Sequence, residues 1–269
     1  MTETTVTALV AGVVEGVTEF LPVSSTGHLL LVERLLHRRL SDLFNIVIQC
    51  GAVLAVLPLF RGRLSQFAFR WRERDTRRYA ARLGLAFALS GVGGLALDGA
   101  GFRLPETAMP VALALLAGGA AFVAVERWLR GRPQAEEVTW TIAAAVGLAQ
   151  LLAAVFPGTS RSGATILAAL ALGLTRPAAT EFAFLVGIPT MLAAGGLQIL
   201  HAARHPTPDT LPEGWATVAL GFVVAAAVSF VVVKWLLGYV RSHTFTGFGW
   251  YRIAVGALIL GLLAAGVRI

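Results

Sequence analysis

The sequence predicts an all-α polytopic membrane protein folded as an inverted repeat, and three observations predict it: an apolar bulk, the spacing of the apolar runs, and a motif that occurs twice. Hydrophobic residues make up 57% of the 269 residues and charged residues only 14%. With a mean hydropathy of +0.75, the chain lies far from the usual balance of soluble domains. Nearly continuous apolar runs fall at about 5–22, 43–60, 79–97, 108–129, 138–156, 179–201, 215–237 and 250–267. Most approach the ~20 residues a helix needs to cross ~30 Å of hydrocarbon. Two more, about 25–36 and 160–174, are too short to span. Lipid cannot satisfy open backbone groups and no alternating barrel pattern appears, so the runs are read as helices.

The repeat emerges when "GVVEGVTEFLPVSSTGHLL" from Gly12 is set against "GLAQLLAAVFPGTSRSGATIL" from Gly147. Glu15 meets Gln150, Pro22 meets Pro157 and Ser25 meets Ser160 at a constant offset of 135, which becomes 136 after a residue gained in the following loop. A single membrane domain of two halves, about 1–132 and 138–269, is expected. Each half holds a long run, a short run behind a Pro-Ser break, and three spans. If the long and short runs form a re-entrant pair that enters and leaves on one side, each half crosses three times, and an odd number inverts the second copy. Basic residues agree with this. Fifteen, from Arg61 to Arg252, fall on one side, and six, Arg34, Arg38, Arg39, Arg103, Arg204 and Arg268, on the other. The positive-inside rule makes the richer side cytoplasmic and turns both termini outward. In the rival arrangement every run crosses, and segments of about 12 residues must thin the bilayer to do so.

Several function classes drop out. The first run follows Glu3 with no basic n-region and no small-residue cleavage site, so it is expected to be retained. Cys50, the single cysteine, has no intrachain partner and is expected to pack in an apolar run, excluding disulfides and cysteine-based metal sites. The net charge of +7 comes from arginines clustered between apolar runs, as beside an anionic membrane surface, and does not point to nucleic acid.

The polar residues at the breaks carry the chemistry. Glu15 and Glu19, four apart, lie on one face of the first helix. Carboxylates at membrane depth cost several kcal/mol unless paired, protonated or bound to a cation. Their mutual repulsion favours a divalent cation or a shared proton, and oxygen ligands favour Mg²⁺ or Ca²⁺ over zinc. The plainer alternative is a buried ion pair between one of them and Arg161. In "PVSSTGH", Ser24, Ser25 or Thr26 can cap the next helix, leaving N–H groups aimed at its mouth, where an anion is favoured. Ordinary capping explains such serines taken alone. His28, three residues beyond Ser25, shares its helix face and is a candidate general base. "PGTSRSGAT" supplies Arg161 among Ser160, Ser162 and Thr165. A guanidinium is a planar fork suited to phosphate oxygens. Together these groups describe a phosphoryl site, and its depth gives the substrate a lipid tail.

"EGVTEFLPVSSTGH" and "PGTSRSGAT" resemble the two signature segments of the bacitracin-resistance type of undecaprenyl-diphosphate phosphatases, and the similarity of segment order runs along essentially the whole chain. The resemblance implies hydrolysis of a C55 polyprenyl diphosphate to the monophosphate in the bacterial plasma membrane, recycling the lipid carrier of peptidoglycan synthesis with a divalent cation. On this sequence the family's acidic pair falls on Glu15 and Glu19, its serine and histidine on Ser25 and His28, and its phosphate-binding arginine on Arg161 beside Ser160 and Thr165. Ser24, Thr26 and Ser162 complete the expected substrate contacts. The partners expected are the lipid diphosphate and membrane lipids, with a homodimer admitted. Two schemes stay open: attack by Ser25 with His28 as base, or attack by His28 or a metal-bound water with Ser25 as ligand. A carrier or flippase is the main competing function, because inverted repeats with broken helices are typical of secondary transporters. An envelope scaffold is weaker, since it gives no reason for the Glu pair. Lipid diphosphate released by cell-wall polymerisation arises outside, so the cleft is expected to open outward.

Overall fold

The structure, a computed structural model, describes residues 3–102, 107–205 and 211–267. Arg103 and Arg268 of the charge tally lie outside them. Apart from one isolated bridge between Ala135 and Leu174, the regular structure is helical. The helices are α1 (Glu3–Thr18), α2 (Ser25–Leu35), α3 (Asp42–Val56), α4 (Arg61–Phe69), α5 (Arg74–Gly99), α6 (Ala108–Trp128), α7 (Trp140–Val155), α8 (Arg161–Ala171), α9 (Arg176–Arg204), α10 (Trp215–Tyr239) and α11 (Thr246–Ala264).

Among the described residues six segments are long and apolar enough to cross a membrane: Asp42–Phe69, α5 and α6 in the first half, α9, α10 and α11 in the second. The chain is a multi-pass membrane protein. α1 and α7 have 16 residues each and α2 and α8 have 11 each, so they rise only about 24 and 16 Å. Neither pair member covers the hydrocarbon alone: α2 and α8 fall on the runs too short to span, and α1 and α7 end before the full lengths of the runs at 5–22 and 138–156. The first span runs further than its apolar stretch, because a 3-10 turn over Leu57–Phe60 carries Pro58 near its start and joins α3 to α4. There the missing proline N–H has no helical acceptor to disappoint.

The two halves interlock. α1 packs on α10 and α7 on α5, α6 crosses α11, and α3 meets α9. The repeat extends to atomic contacts: a Cβ on Gly12 would lie 2.8 Å from the Gly221 carbonyl oxygen, and one on Gly147 would lie 2.9 Å from that of Ala86. At the α6–α11 crossing, Gly119 and Gly249 each face the other's carbonyl. Helices in lipid associate through such close backbone approach, because lipid is as apolar as leucine and gives no hydrophobic drive. Large apolar side chains such as Val92, Leu95, Trp215, Val223 and Val231 point outward, where acyl chains would cover them.

One reading of the charge tally is corrected. Arg252, counted as a cytoplasmic flank, is fully buried within α11. A further buried carboxylate is Glu126. It is buried at the end of α6, pairs with Arg176 and accepts the Phe245 amide at 2.8 Å, tying α6, α9 and α11 together.

Candidate active site

Both chain breaks are built alike. After α1, Pro22 offers no N–H and the backbone turns until Ser24, at φ 73°, caps α2 by accepting the Gly27 amide at 3.4 Å. After α7, Ser160, at φ 66°, caps α8 by accepting the Gly163 amide at 3.1 Å. A non-glycine residue at positive φ costs about 1–3 kcal/mol and persists only where its surroundings impose it. Here the same strain recurs at both helix mouths. The equivalence Ser24–Ser160 corrects the sequence alignment: the extra residue of the second copy lies inside the break, not in the loop that follows. Consequently Ser25 corresponds to Arg161, each the first residue of its helix.

With Ser24 as cap, the Ser25 hydroxyl is free for other use. It donates to Glu19 Oε2 at 2.7 Å, and Gln49 Nε2 of α3 donates to Glu19 Oε1 at 3.2 Å. Glu15, one turn earlier, is buried, and its Oε2 has no hydrogen-bond partner. Nη1 of Arg161 is likewise buried without a partner. Among the described residues no ion pair joins Glu15 to Arg161, so the plain Glu–Arg pair is not formed, although Glu19 and Arg161 are the charges nearest in effect to Glu15. Buried polar atoms are nearly always satisfied. Glu15 and Arg161 are exceptions of opposite charge, one at each break. A cleft of about 540 Å³ opens at the first break, floored by Glu15, Ser25 and Thr26 and rimmed by Glu33, Arg34 and Arg39.

His28 does not meet Ser25. Its Nδ1 lies 2.7 Å from the Ser24 carbonyl, which can only accept, so Nδ1 carries the proton. Nε2 then accepts from the Tyr251 hydroxyl at 2.7 Å, and the two rings stack at 5.6 Å. Ser25 is therefore hydrogen-bonded to Glu19 and not to His28, the base in one of the two schemes. Other expected contacts are also spent within the protein. Ser162 Oγ donates to the Leu21 carbonyl at 3.1 Å, linking one break to the other, and Ser160 Oγ contacts Ser162 Oγ at 3.1 Å. Thr165 Oγ1 donates back to the Arg161 carbonyl at 2.8 Å. These side chains build the helix mouths, while Glu15, Ser25 and Thr26 line the cleft.

Three participants escaped the sequence reading: Gln49, Tyr251 and Arg252. Gln49 had a signal, since Asn45 and Gln49 stand four apart in an otherwise apolar helix and both line the cleft.

Six membrane-length helices around two interrupted ones, with buried carboxylates, a serine and a guanidinium at the interruption, define an integral membrane protein with a polar site at membrane depth. Residues 8–258 match the family described as bacitracin resistance protein BacA, and the chain belongs to that family. It is 50% identical over 263 residues to an undecaprenyl-diphosphatase of Rhizobium etli, covering 97% of this chain and 98% of that protein. It is 51% identical over 261 residues to an undecaprenyl-diphosphatase of Xanthomonas axonopodis pv. citri, covering 97% of each.

Proposed function

We propose that this protein hydrolyses undecaprenyl diphosphate to undecaprenyl phosphate and inorganic phosphate in the bacterial plasma membrane, returning the lipid carrier to peptidoglycan synthesis. The names of its relatives support the substrate. The observation that carries the chemistry is the 2.7 Å contact from Ser25 Oγ to Glu19, together with the unpartnered Glu15 and Arg161. Ser25 attacks the terminal phosphorus while its proton passes to Glu19 Oε2. The anhydride P–O bond breaks and undecaprenyl phosphate leaves, with the phosphoryl group on Ser25. Water then adds to the phosphoserine phosphorus and the Oγ–P bond breaks; Ser25 Oγ takes back its proton from Glu19, and the water's oxygen and hydrogens leave with inorganic phosphate. Amides at the two helix mouths and the Arg161 fork face the charge on the transferred oxygens. His28, held by Ser24 and Tyr251, is not placed to deprotonate Ser25 and instead braces the α2 mouth against α11.

The donor set fits a hard divalent cation, Mg²⁺ or Ca²⁺. Glu15 Oε2 and Asn45 Oδ1, both on cleft residues, are buried oxygens without partners. Among the described residues no three His, Cys, Asp or Glu side chains converge, so Glu15 and Glu19 would hold such an ion with oxygens from water or the diphosphate. That pattern suits Mg²⁺, which keeps several waters. When bound, the ion neutralises charge on the diphosphate oxygens.

Three candidate spans per half and the arginine asymmetry, which survives the loss of Arg252, support the inverted arrangement. It puts the cleft rim at Arg34 and Arg39 on the outer face, toward the side where the substrate is released. A carrier has no use for a serine hydrogen-bonded to a buried carboxylate. Purified protein in detergent should release inorganic phosphate from a C55 diphosphate, and Ser25→Ala should retain the substrate but lose turnover. More than about a tenth of the wild-type rate in that variant, roughly 1.4 kcal/mol of barrier, would make the serine a ligand only.

A further inference from the structure

We infer that Arg252 is a positioning residue that locks the two helix mouths to one another and so sets the spacing between Ser25 and Arg161. Its catalytic consequence rests on the phosphatase reading; the lock itself does not. Each break ends a helix and leaves carbonyls without helical donors. Arg252, fully buried on α11, supplies donors to both. Its Nη1 donates to the Pro22 carbonyl at 3.1 Å, in the first break. Its Nη2 donates to the Thr159 carbonyl at 3.0 Å and the Gly158 carbonyl at 3.4 Å, in the second, and to Ala114 of α6 at 3.1 Å. One nitrogen therefore serves each break, through a rigid planar group that fixes their separation.

Three further observations point the same way. Among the described residues Arg252 has no carboxylate at ion-pair distance, so a buried cation is held by backbone dipoles alone, an expensive arrangement without a positional purpose. Space is reserved for it: a Cβ on Gly118 would sit 2.3 Å from Nη2 and one on Gly163 would sit 3.1 Å from Nη1. Finally, the reciprocal Gly119–Gly249 crossing makes Phe122 the counterpart of Arg252, packed against Phe245. The repeat thus carries one arginine where two halves meet, and it reaches both breaks from there.

The test uses Arg252→Lys, Arg252→Met and Gly118→Ala in the purified full-length protein. Amide hydrogen exchange over residues 19–28 and 156–165 and steady-state phosphate release from a C55 diphosphate are both measured. A lysine nitrogen can reach one break but not both, and Gly118→Ala displaces the guanidinium without removing it. We expect faster exchange in both segments and not elsewhere, with kcat falling at least about tenfold and KM changing much less, since a small misplacement of reacting groups costs rate steeply. Arg252→Lys should retain more activity than Arg252→Met. Where Arg252→Met does not fold, Gly118→Ala decides. Unchanged exchange in the two segments, exchange raised throughout the chain, or wild-type kcat in Gly118→Ala and Arg252→Lys would each overturn the inference. If wild-type protein releases no phosphate while the two segments still loosen together, the lock stands and the phosphatase reading falls.

Discussion

Glu15 and Arg161 each keep a buried polar atom without a partner, at a cost to the folded state of about 1–3 kcal/mol apiece. A site that binds charge is expected to be destabilised when empty. Glu15→Gln should therefore raise the melting temperature of the metal-free protein while lowering turnover at least about a hundredfold and removing the stabilisation that added Mg²⁺ gives the wild type. A lower melting temperature with turnover intact would contradict this. Glu19→Gln removes the acceptor of the Ser25 proton, and phosphate release should fall by about 10²–10⁴, the usual worth of a general base. Arg161→Lys replaces a fork by a point charge and should raise KM as well as lower kcat; wild-type constants in that variant would refute the bidentate role. Glu15, Glu19 and Arg161 were legible in the sequence because a charge inside an apolar run stands out in one dimension, and Ser25 because it follows a proline break. The partners of His28, Ser162 and Thr165 were not, because a hydroxyl or imidazole can satisfy itself locally or across the fold, and only three-dimensional placement chooses. Arg252 hid for the opposite reason: near the start of an apolar run it passes for a membrane-flanking charge.

At the level of the elements, the two breaks share their capping geometry, and one additional residue in the second makes Arg161 the counterpart of Ser25. The same duplicated mouth thus presents a hydroxyl in one copy and a guanidinium in the other. Further back the copies have also diverged. Gln150, the counterpart of Glu15, donates to Ser90 Oγ of α5 at 2.8 Å. Gly158 is the tightest point of the second break: at φ 86° it sits where a Cβ would come within 2.7 Å of the Val111 backbone. Gly158→Ala should lower stability by about 1–3 kcal/mol and turnover with it, measurable as a fall in melting temperature in detergent; a neutral result would mean the break is pliable. α4 left no sign of its own, because its polar sequence continues the first span past its apolar run, whereas the short member of each pair could be read from apolar run length, since hydrocarbon thickness decides which runs can span. The register of the second break could not, because an inserted residue is silent until cap geometry shows where the chain absorbs it.

For the whole molecule, the proposed orientation makes a direct claim about access. With Cys50 replaced by serine, an impermeant thiol reagent applied to intact cells should label His205→Cys and miss Arg74→Cys; the reverse pattern would invert the frame. The interlocked packing has a consequence for how such a chain is made. α1 rests mainly on α10 and only in smaller part on α2 and α3 of its own half, and Gly12 closes against Gly221. At about 5–20 residues per second, the ribosome needs on the order of 10–40 s to deliver that partner. Throughout that interval the first hairpin, with two carboxylates at its tip, waits in or beside the insertion machinery without the surface that will enclose it. Ribosome stalling or truncation before α10 should therefore leave a nascent chain that insertion factors retain and membrane proteases clear, and the protein's yield should depend on its last third more than on the segment that bears its reactive serine.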